Sequence, residues 1–192
     1  MLFRSCLISG GWLLVSNVVI NGSSPFELSD ETSYRGISSY QNNKMFLTDS
    51  AMKELGTHLS FTQLRFPCSK QQGRTFHVTT VTNSSGEGVV RYLSGQTDVQ
   101  PDACGSFVRM DNDDSRMAGD CDKWGTDGWA AHNTAKIGKW GPPYDNQGRL
   151  FDHPASVVSE SHWLLLKDGR RLECDDYNVV ASSGDFWKVF VR

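Results

Sequence analysis

The sequence lacks the features that mark several large classes of protein. Its 19 basic residues are balanced by 22 acidic ones, and its longest basic run is Arg170-Arg171. Proteins that bind nucleic acid need a concentrated basic face. No apolar run approaches the roughly 20 residues of a membrane-spanning helix. We therefore expect neither nucleic-acid partners nor insertion into a membrane.

Familiar catalytic motifs are also missing. The chain has no Gly-x-Ser-x-Gly elbow, no phosphate-binding loop and no dinucleotide-binding glycine pattern. None of the five histidines follows another at His-x-x-x-His spacing; they are His58, His77, His132, His153 and His162. We predict that the protein is not an enzyme. A hydrolase remains a further hypothesis, because catalytic groups assemble in space rather than in sequence.

Cysteine is present but never in a Cys-x-x-Cys pair, which disfavours zinc ribbons and thioredoxin-type redox sites. The five cysteines are Cys6, Cys68, Cys104, Cys121 and Cys174. Two readings stay open: a secreted domain with two disulfides and one spare thiol, or a reduced cytosolic protein. The sequons that begin at Asn21 and Asn83 favour a secreted, extracellular glycoprotein.

Hydrophobic patterning predicts a strand-dominated α+β fold. Alternation and turn signals predict strands over 11–20, 61–66, 75–81, 89–93, 162–166, 171–174 and 186–192. Those over 75–81 and 89–93 would form a hairpin, as would those that flank Asp168-Gly169. One helix is expected over 49–59, capped by Asp49 and stopped early by Gly56. The prediction is a central antiparallel sheet with one short helix and a long irregular subdomain from Ser94 to Pro154.

An acidic cluster in that irregular region is the sharpest chemical feature. Asp111, Asp113, Asp114 and Ser115 place oxygen donors at close spacing. Calcium takes several oxygens from carboxylates and carbonyls, often on loops. We expect these four residues to hold one calcium ion, although the spacing is not that of an EF-hand. The alternative is a solvated acidic turn. The acidic stretch around Cys174 is expected to be a disulfide-anchored turn.

Aromatic residues accumulate in the same region. Trp124, Trp129, Trp140 and Tyr144 lie there with His132 among them. Exposed aromatic rings beside polar groups make platforms for sugars or peptides, so these five residues are the predicted ligand contacts. The alternative is that the rings are core anchors under a long loop, since tryptophan is mostly buried.

Two segments resemble the fibrinogen C-terminal-like family. Residues 10–15, Gly-Gly-Trp-Leu-Leu-Val, resemble the Gly-Gly-Trp strand near the start of fibrinogen C-terminal domains and intelectins. The segment Asp111-Asn112-Asp113-Asp114, followed by Cys121, resembles the calcium loop of fibrinogen-like domains, and Gly128-Trp129 matches the Gly-Trp pair that follows that loop. There is no cysteine between Cys121 and Cys174, and the last nine residues differ from the family's usual ending, so the resemblance is to a divergent branch.

The resemblance implies a secreted, lectin-like module that binds cell-surface or matrix glycans or proteins with the help of calcium. It implies a single domain over 10–192, preceded by an N-terminal segment, 1–9, that we interpret as a fragment end or a processing remnant. Homo-oligomers would form through a longer parent chain. The alternative is a structural module of the extracellular matrix that binds no small ligand.

Overall fold

The computed structural model describes residues 7–8, 10–22, 27–125, 137–141, 148–166 and 168–192, with backbone alone for residues 7 and 8. In chain order the strands are β1 (Leu7–Ile8), β2 (Trp12–Val19), β3 (Ser29–Glu31), β4 (Lys44–Leu47), β5 (Leu64–Ser69), β6 (Thr75–Thr80), β7 (Phe107–Arg109), β8 (Asp152–Val157), β9 (Ser161–Leu165), β10 (Leu172–Asp176) and β11 (Phe186–Val191).

The strands form two sheets. The larger has the order β3-β4-β2-β11-β5-β6-β7, with β1 paired to β2, and the smaller has the order β10-β9-β8. Every pairing is antiparallel except that of β3 with β4, which is parallel. The strand-dominated α+β prediction is confirmed at this level, but the larger sheet is mixed rather than purely antiparallel.

The described chain has two α-helices, α1 (Asp49–His58) and α2 (Ser84–Leu93), and 3₁₀ turns at Tyr34–Ser39 and Cys121–Lys123. The prediction of a single helix is therefore wrong. Helix α1 lies where it was expected, but its cap is Thr48 rather than Asp49, and it continues through Gly56. Its buried face is formed by Ala51, Met52 and Leu55.

Helix α2 replaces a predicted strand and hairpin. Asn83 Oδ1 accepts hydrogen bonds from the backbone N–H groups of Ser85 and Gly86, which is the pattern of a helix N-cap. A Cβ atom on Gly86 would lie 1.9 Å from the carbonyl oxygen of Val81, so only glycine permits this approach. The apolar residues Val89, Val90 and Leu93 are buried together on one helical face.

The later hairpin prediction is confirmed. β9 and β10 pair antiparallel, with Leu165 opposite Leu172, and Gly169 in the turn has a φ of +66°. Such a conformation suits the Asp-Gly pair. The last strand is also confirmed, and its inward residues Trp187, Val189 and Val191 have no exposed surface.

Two disulfides join distant parts of the described chain: Cys68 to Cys174 and Cys104 to Cys121. The first links β5 in the larger sheet to β10 in the smaller one, so it fixes the two sheets to each other. Two bridges and a disulfide at Cys174 are as predicted, but Cys174 and the acidic residues beside it belong to strand β10 rather than to a turn. Cys6 lies outside the described residues. Within those residues, no helix is both long and apolar enough to cross a membrane.

Candidate metal centre

The predicted calcium ligands are engaged by protein donors. The Asp113 carboxylate accepts hydrogen bonds from Arg109 Nε and from the backbone N–H of His77, and its side chain has no exposed surface. The Ser115 hydroxyl also donates to Asp113, at 3.0 Å. Asp114 Oδ1 accepts from the backbone N–H of Thr75 at 2.6 Å. The acidic oxygens thus tie the turn to β6 and β7 instead of converging on a shared centre.

Asp111 is exposed and does not join the network that holds Asp113, Asp114 and Ser115. The four predicted ligands are therefore not brought together as a cation site. The physical reason is that backbone N–H groups and a guanidinium already supply the donors that these carboxylates need.

The predicted aromatic contacts divide into two groups. Trp124 and Trp140 have no exposed surface. Their indole N–H groups donate to the Met117 carbonyl oxygen and the Ser106 hydroxyl, and their rings pack edge to face at 4.8 Å. They are core anchors, which corrects the prediction that these two rings contact a ligand. Trp129, His132 and Tyr144 lie outside the described residues.

A different cluster comes together on the smaller sheet. His153, His162 and Glu173 each offer one ligand atom, and these atoms lie within 4.8 Å of one another. The three residues occupy three adjacent strands, β8, β9 and β10. In the described part of the chain, this is the one group of three or more His, Cys, Asp or Glu side chains that could hold a metal ion.

A β-bulge places His153 in the cluster. The pairing of β8 with β9 is regular at Asp152 and again at Ser156 but shifts between them, and His153 has a φ of +54°. A bulge re-aims the side chain that it carries. As a result, the His153 and His162 ring centroids are 4.8 Å apart.

Each imidazole is held by a carboxylate. His153 Nδ1 lies 2.5 Å from Asp152 Oδ1, and His162 Nδ1 lies 2.7 Å from Glu173 Oε2. Histidines that bind metals commonly donate one ring N–H to a carboxylate, which fixes the tautomer and leaves the other nitrogen for the ion. With Nδ1 protonated in each ring, Nε2 is the ring nitrogen left to bind an ion. Glu173 can ligate the ion directly or orient His162.

The Glu173 carboxylate is held ionised in the interior. Burial alone opposes ionisation, but hydrogen bonds from His162, Arg171 and the backbone N–H of Asn178 outweigh it and lower the pKa of Glu173 to about 2. Only 1% of its side chain is exposed. The site thus holds a permanent negative charge beside two imidazoles.

Covalent and packing contacts fix the strand that carries Glu173. The Trp187 indole N–H donates to the Glu173 carbonyl oxygen at 2.8 Å, and the neighbouring Cys174 forms the disulfide to Cys68. The Tyr177 ring packs edge to face on His162 at 5.2 Å. The cluster therefore lies on a rigid part of the fold, as a binding site requires.

The distances between the ligand atoms of the three residues are close to those around a bound metal ion. Zinc bound by nitrogen and oxygen at about 2.0 Å in tetrahedral geometry holds its ligands about 3.3 Å apart. The ligand atoms of the three residues lie up to 4.8 Å apart, so they would have to move closer together to bind a zinc ion. Of the three side chains, His153 is the most exposed, at 17%, so it has the most freedom to make this movement.

No local sequence pattern marks this cluster, because His153, His162 and Glu173 lie on three successive strands and meet only through strand pairing. The Asp-Gly turn predicts the pairing of β9 with β10, but no local sequence pattern predicts the bulge at His153. Comparison with protein-family models, with curated proteins and with solved structures gives no match, so the interpretation of the site depends on its geometry.

Proposed function

We propose that the protein is an extracellular recognition domain in which His153, His162 and Glu173 bind one transition-metal ion. The observation that carries this proposal is the convergence of two carboxylate-held imidazoles and a buried, ionised carboxylate on adjacent strands. The two disulfides are compatible with an oxidising compartment. The ligands of such a domain are glycans or proteins of cell surfaces or matrix.

The donor set favours a particular class of ion. Imidazole nitrogen suits zinc, copper and nickel, whereas calcium prefers six to eight oxygen ligands. Two nitrogens and one carboxylate match the zinc class. We therefore assign the centre to zinc-type ions rather than to the calcium that the acidic cluster suggested.

Metal binding is tested by calorimetric titration of the oxidised protein with Zn²⁺ and separately with Ca²⁺. We expect one Zn²⁺ per chain, with Ca²⁺ at least about a hundredfold weaker because the donors are mainly nitrogen. His153→Asn should weaken Zn²⁺ binding at least about tenfold. Asparagine is chosen because it tolerates a positive φ. His58→Ala, which removes an exposed histidine on α1, is the matched control and should leave binding unchanged.

Equal Zn²⁺ affinity in the His153→Asn variant and the parent protein would exclude this centre. Preferential binding of Ca²⁺ would also contradict the assignment.

A metal-dependent hydrolase is a second candidate, since two histidines and a glutamate are also the ligand set of some catalytic zinc sites. Recognition is preferred because only 7% of the His162 side chain and 1% of the Glu173 side chain are exposed, which leaves little room for a substrate. Hydrolysis of p-nitrophenyl acetate by the zinc-loaded protein, lost in the His153→Asn variant, would favour the enzyme instead.

A further inference from the structure

An open groove of about 430 Å³ adjoins the metal centre, and Glu173 lines both. Its walls come from residues 20–22, which follow β2, from the start of β4, and from the segments 169–173 and 178–181. The volume falls within the usual range for ligand sites, roughly 300–1,000 Å³. The groove is thus large enough to hold a few residues of a peptide or one or two sugar units.

The charge of the groove is opposite to that of the whole chain. Among the described lining residues, three are basic (Lys44, Arg170 and Arg171) and one is acidic (Glu173), whereas the chain carries a formal charge of −3. Arg171 donates two hydrogen bonds to the ionised Glu173 carboxylate and offsets its charge, so Lys44 and Arg170 give the lining an excess of positive charge. A concave surface lined by one sign of charge concentrates ligands of the other sign.

Arg170 is the basic residue of the groove that can most easily exchange its present partner for a ligand carboxylate. It pairs with Asp168 at 2.6 Å, but 82% of the Arg170 side chain and 43% of the Asp168 side chain are exposed. An exposed ion pair contributes little stability. A ligand carboxylate can therefore take the place of Asp168 at low cost.

The remaining wall of the groove is aliphatic. Ile20, Leu172, Val179 and Val180 line it. Val179 is 54% exposed and Val180 is 88% exposed, so two adjacent branched side chains face water. Adjacent exposed apolar residues at the edge of a concave site indicate a surface that a partner covers.

The composition of the lining distinguishes a peptide from a sugar. Sugar rings bind through flat aromatic faces, and none of the described residues that line the groove is aromatic. Aliphatic walls beside guanidinium groups suit carboxylate side chains alternating with branched apolar ones.

We infer that the groove binds an acidic, aliphatic peptide segment of a partner protein. The inference depends on the recognition role proposed above and adds its ligand class. The segment's carboxylates pair with Arg170 and Lys44, and its apolar side chains cover Val179 and Val180.

The test is a titration of the ¹⁵N-labelled, zinc-loaded protein with a blocked hexapeptide of alternating leucine and aspartate, followed by amide chemical shifts. We expect shifts confined to the groove, at 20–22, 169–173 and 178–181. The matched peptide with asparagine in place of aspartate should bind at least about tenfold more weakly, because it lacks the charge that the groove attracts.

Variants separate the two halves of the groove. The double variant Lys44→Gln/Arg170→Gln should weaken the acidic peptide about tenfold, and Val180→Ser should weaken both peptides. Arg91→Gln and Val99→Ser change exposed residues outside the groove and serve as matched controls.

Equal binding of the two peptides, or shifts outside the groove, would overturn the inference. So would groove shifts produced by a sulfated disaccharide but not by the acidic peptide, and in that case the recognition role would stand with a glycan ligand. The proposed metal centre is tested separately by Zn²⁺ calorimetry, so its failure can be distinguished from failure of the peptide site.

Discussion

Glu173 connects the main features of the site. Its carboxylate orients His162, accepts hydrogen bonds from Arg171 and Asn178, and lines the groove. Because burial alone would neutralise it, its charge depends on those donors. The stability of the fold should therefore depend on pH through this residue.

A pH prediction follows from the lowered pKa. Its folded pKa is about 2 against a reference value of 4.5. The ionised carboxylate therefore stabilises the fold fully above about pH 4.5, by about 3 kcal/mol, and this contribution is lost as the pH falls towards 2. Urea unfolding should show the parent protein more stable than Glu173→Gln at pH 6, with the difference shrinking by pH 3.

The control for this measurement is Glu160→Gln, which changes an exposed carboxylate between β8 and β9. Its difference from the parent protein should stay within about 0.5 kcal/mol throughout, as for most surface substitutions. A Glu173→Gln difference that does not change with pH would contradict the assignment of the charge.

The sequence identified chemically active residue types but not their partners. Asp113 was predicted as a calcium ligand because its spacing supplies oxygen donors. Only the fold shows that the Asp113 carboxylate accepts hydrogen bonds from the Arg109 guanidinium and the His77 backbone N–H instead. For Trp124 and Trp140 the sequence left a ligand contact and a core position as alternatives, and the fold shows that both rings are buried.

Helix α2 shows how an N-cap can favour a helix in a segment whose apolar residues also suit a strand. Val89-Val90 suits a strand, yet Asn83 begins a helix by accepting two backbone hydrogen bonds. Our prediction read Asn83-Ser84-Ser85-Gly86 as a hairpin turn because these residues also favour turns. Close packing of Gly86 on the Val81 carbonyl, which is a tertiary contact, favours the helix.

Removing this cap should have a measurable cost. Asn83→Ala should lower the free energy of unfolding by about 1 kcal/mol, whereas Asn83→Asp, which keeps an oxygen acceptor, should cost less than half as much. Both variants remove the sequon, so they are compared as unglycosylated protein by urea denaturation. Equal losses in the two variants would show that the side-chain oxygen does not cap α2.

Other elements followed directly from local patterning. The Asp168-Gly169 turn, the strand that ends the chain and helix α1 all lie near their predicted positions, because turn chemistry and periodicity agree there. The strand expected over 61–66 runs instead from Leu64 to Ser69. Its pairing with β6 and β11 determines its bounds, and the local pattern does not contain that information.

At the scale of the whole molecule, the disulfides differ in what they constrain. Cys68–Cys174 spans 106 residues and joins the two sheets, whereas Cys104–Cys121 spans 17 residues within the irregular region. Loop-closure entropy grows with the length of the closed segment. The longer bridge should therefore contribute more to stability.

Paired alanine variants test this order. Cys68→Ala/Cys174→Ala should cost about 4–5 kcal/mol and Cys104→Ala/Cys121→Ala about 3 kcal/mol in urea unfolding. The first pair should also weaken Zn²⁺ binding, because Cys174 follows Glu173. A larger cost for the shorter bridge, with unchanged Zn²⁺ affinity in the first pair, would contradict this account.

The fold class was predictable from the sequence, but the arrangement of strands was not. Hydrophobic alternation shows that strands form, while their order depends on long-range pairing such as that of β2 with β11. The cluster of His153, His162 and Glu173 depends on such pairing between β8, β9 and β10. Local sequence patterns therefore do not predict this cluster.

The central claim is that one metal ion binds between His153 and His162. The most direct measurement is an anomalous difference map, collected at the zinc absorption edge, from a crystal of the zinc-loaded protein. The account predicts a peak about 2.0 Å from the Nε2 atom of each imidazole. A map with no peak there, or with its strongest peak at the Asp111–Ser115 turn, would contradict it.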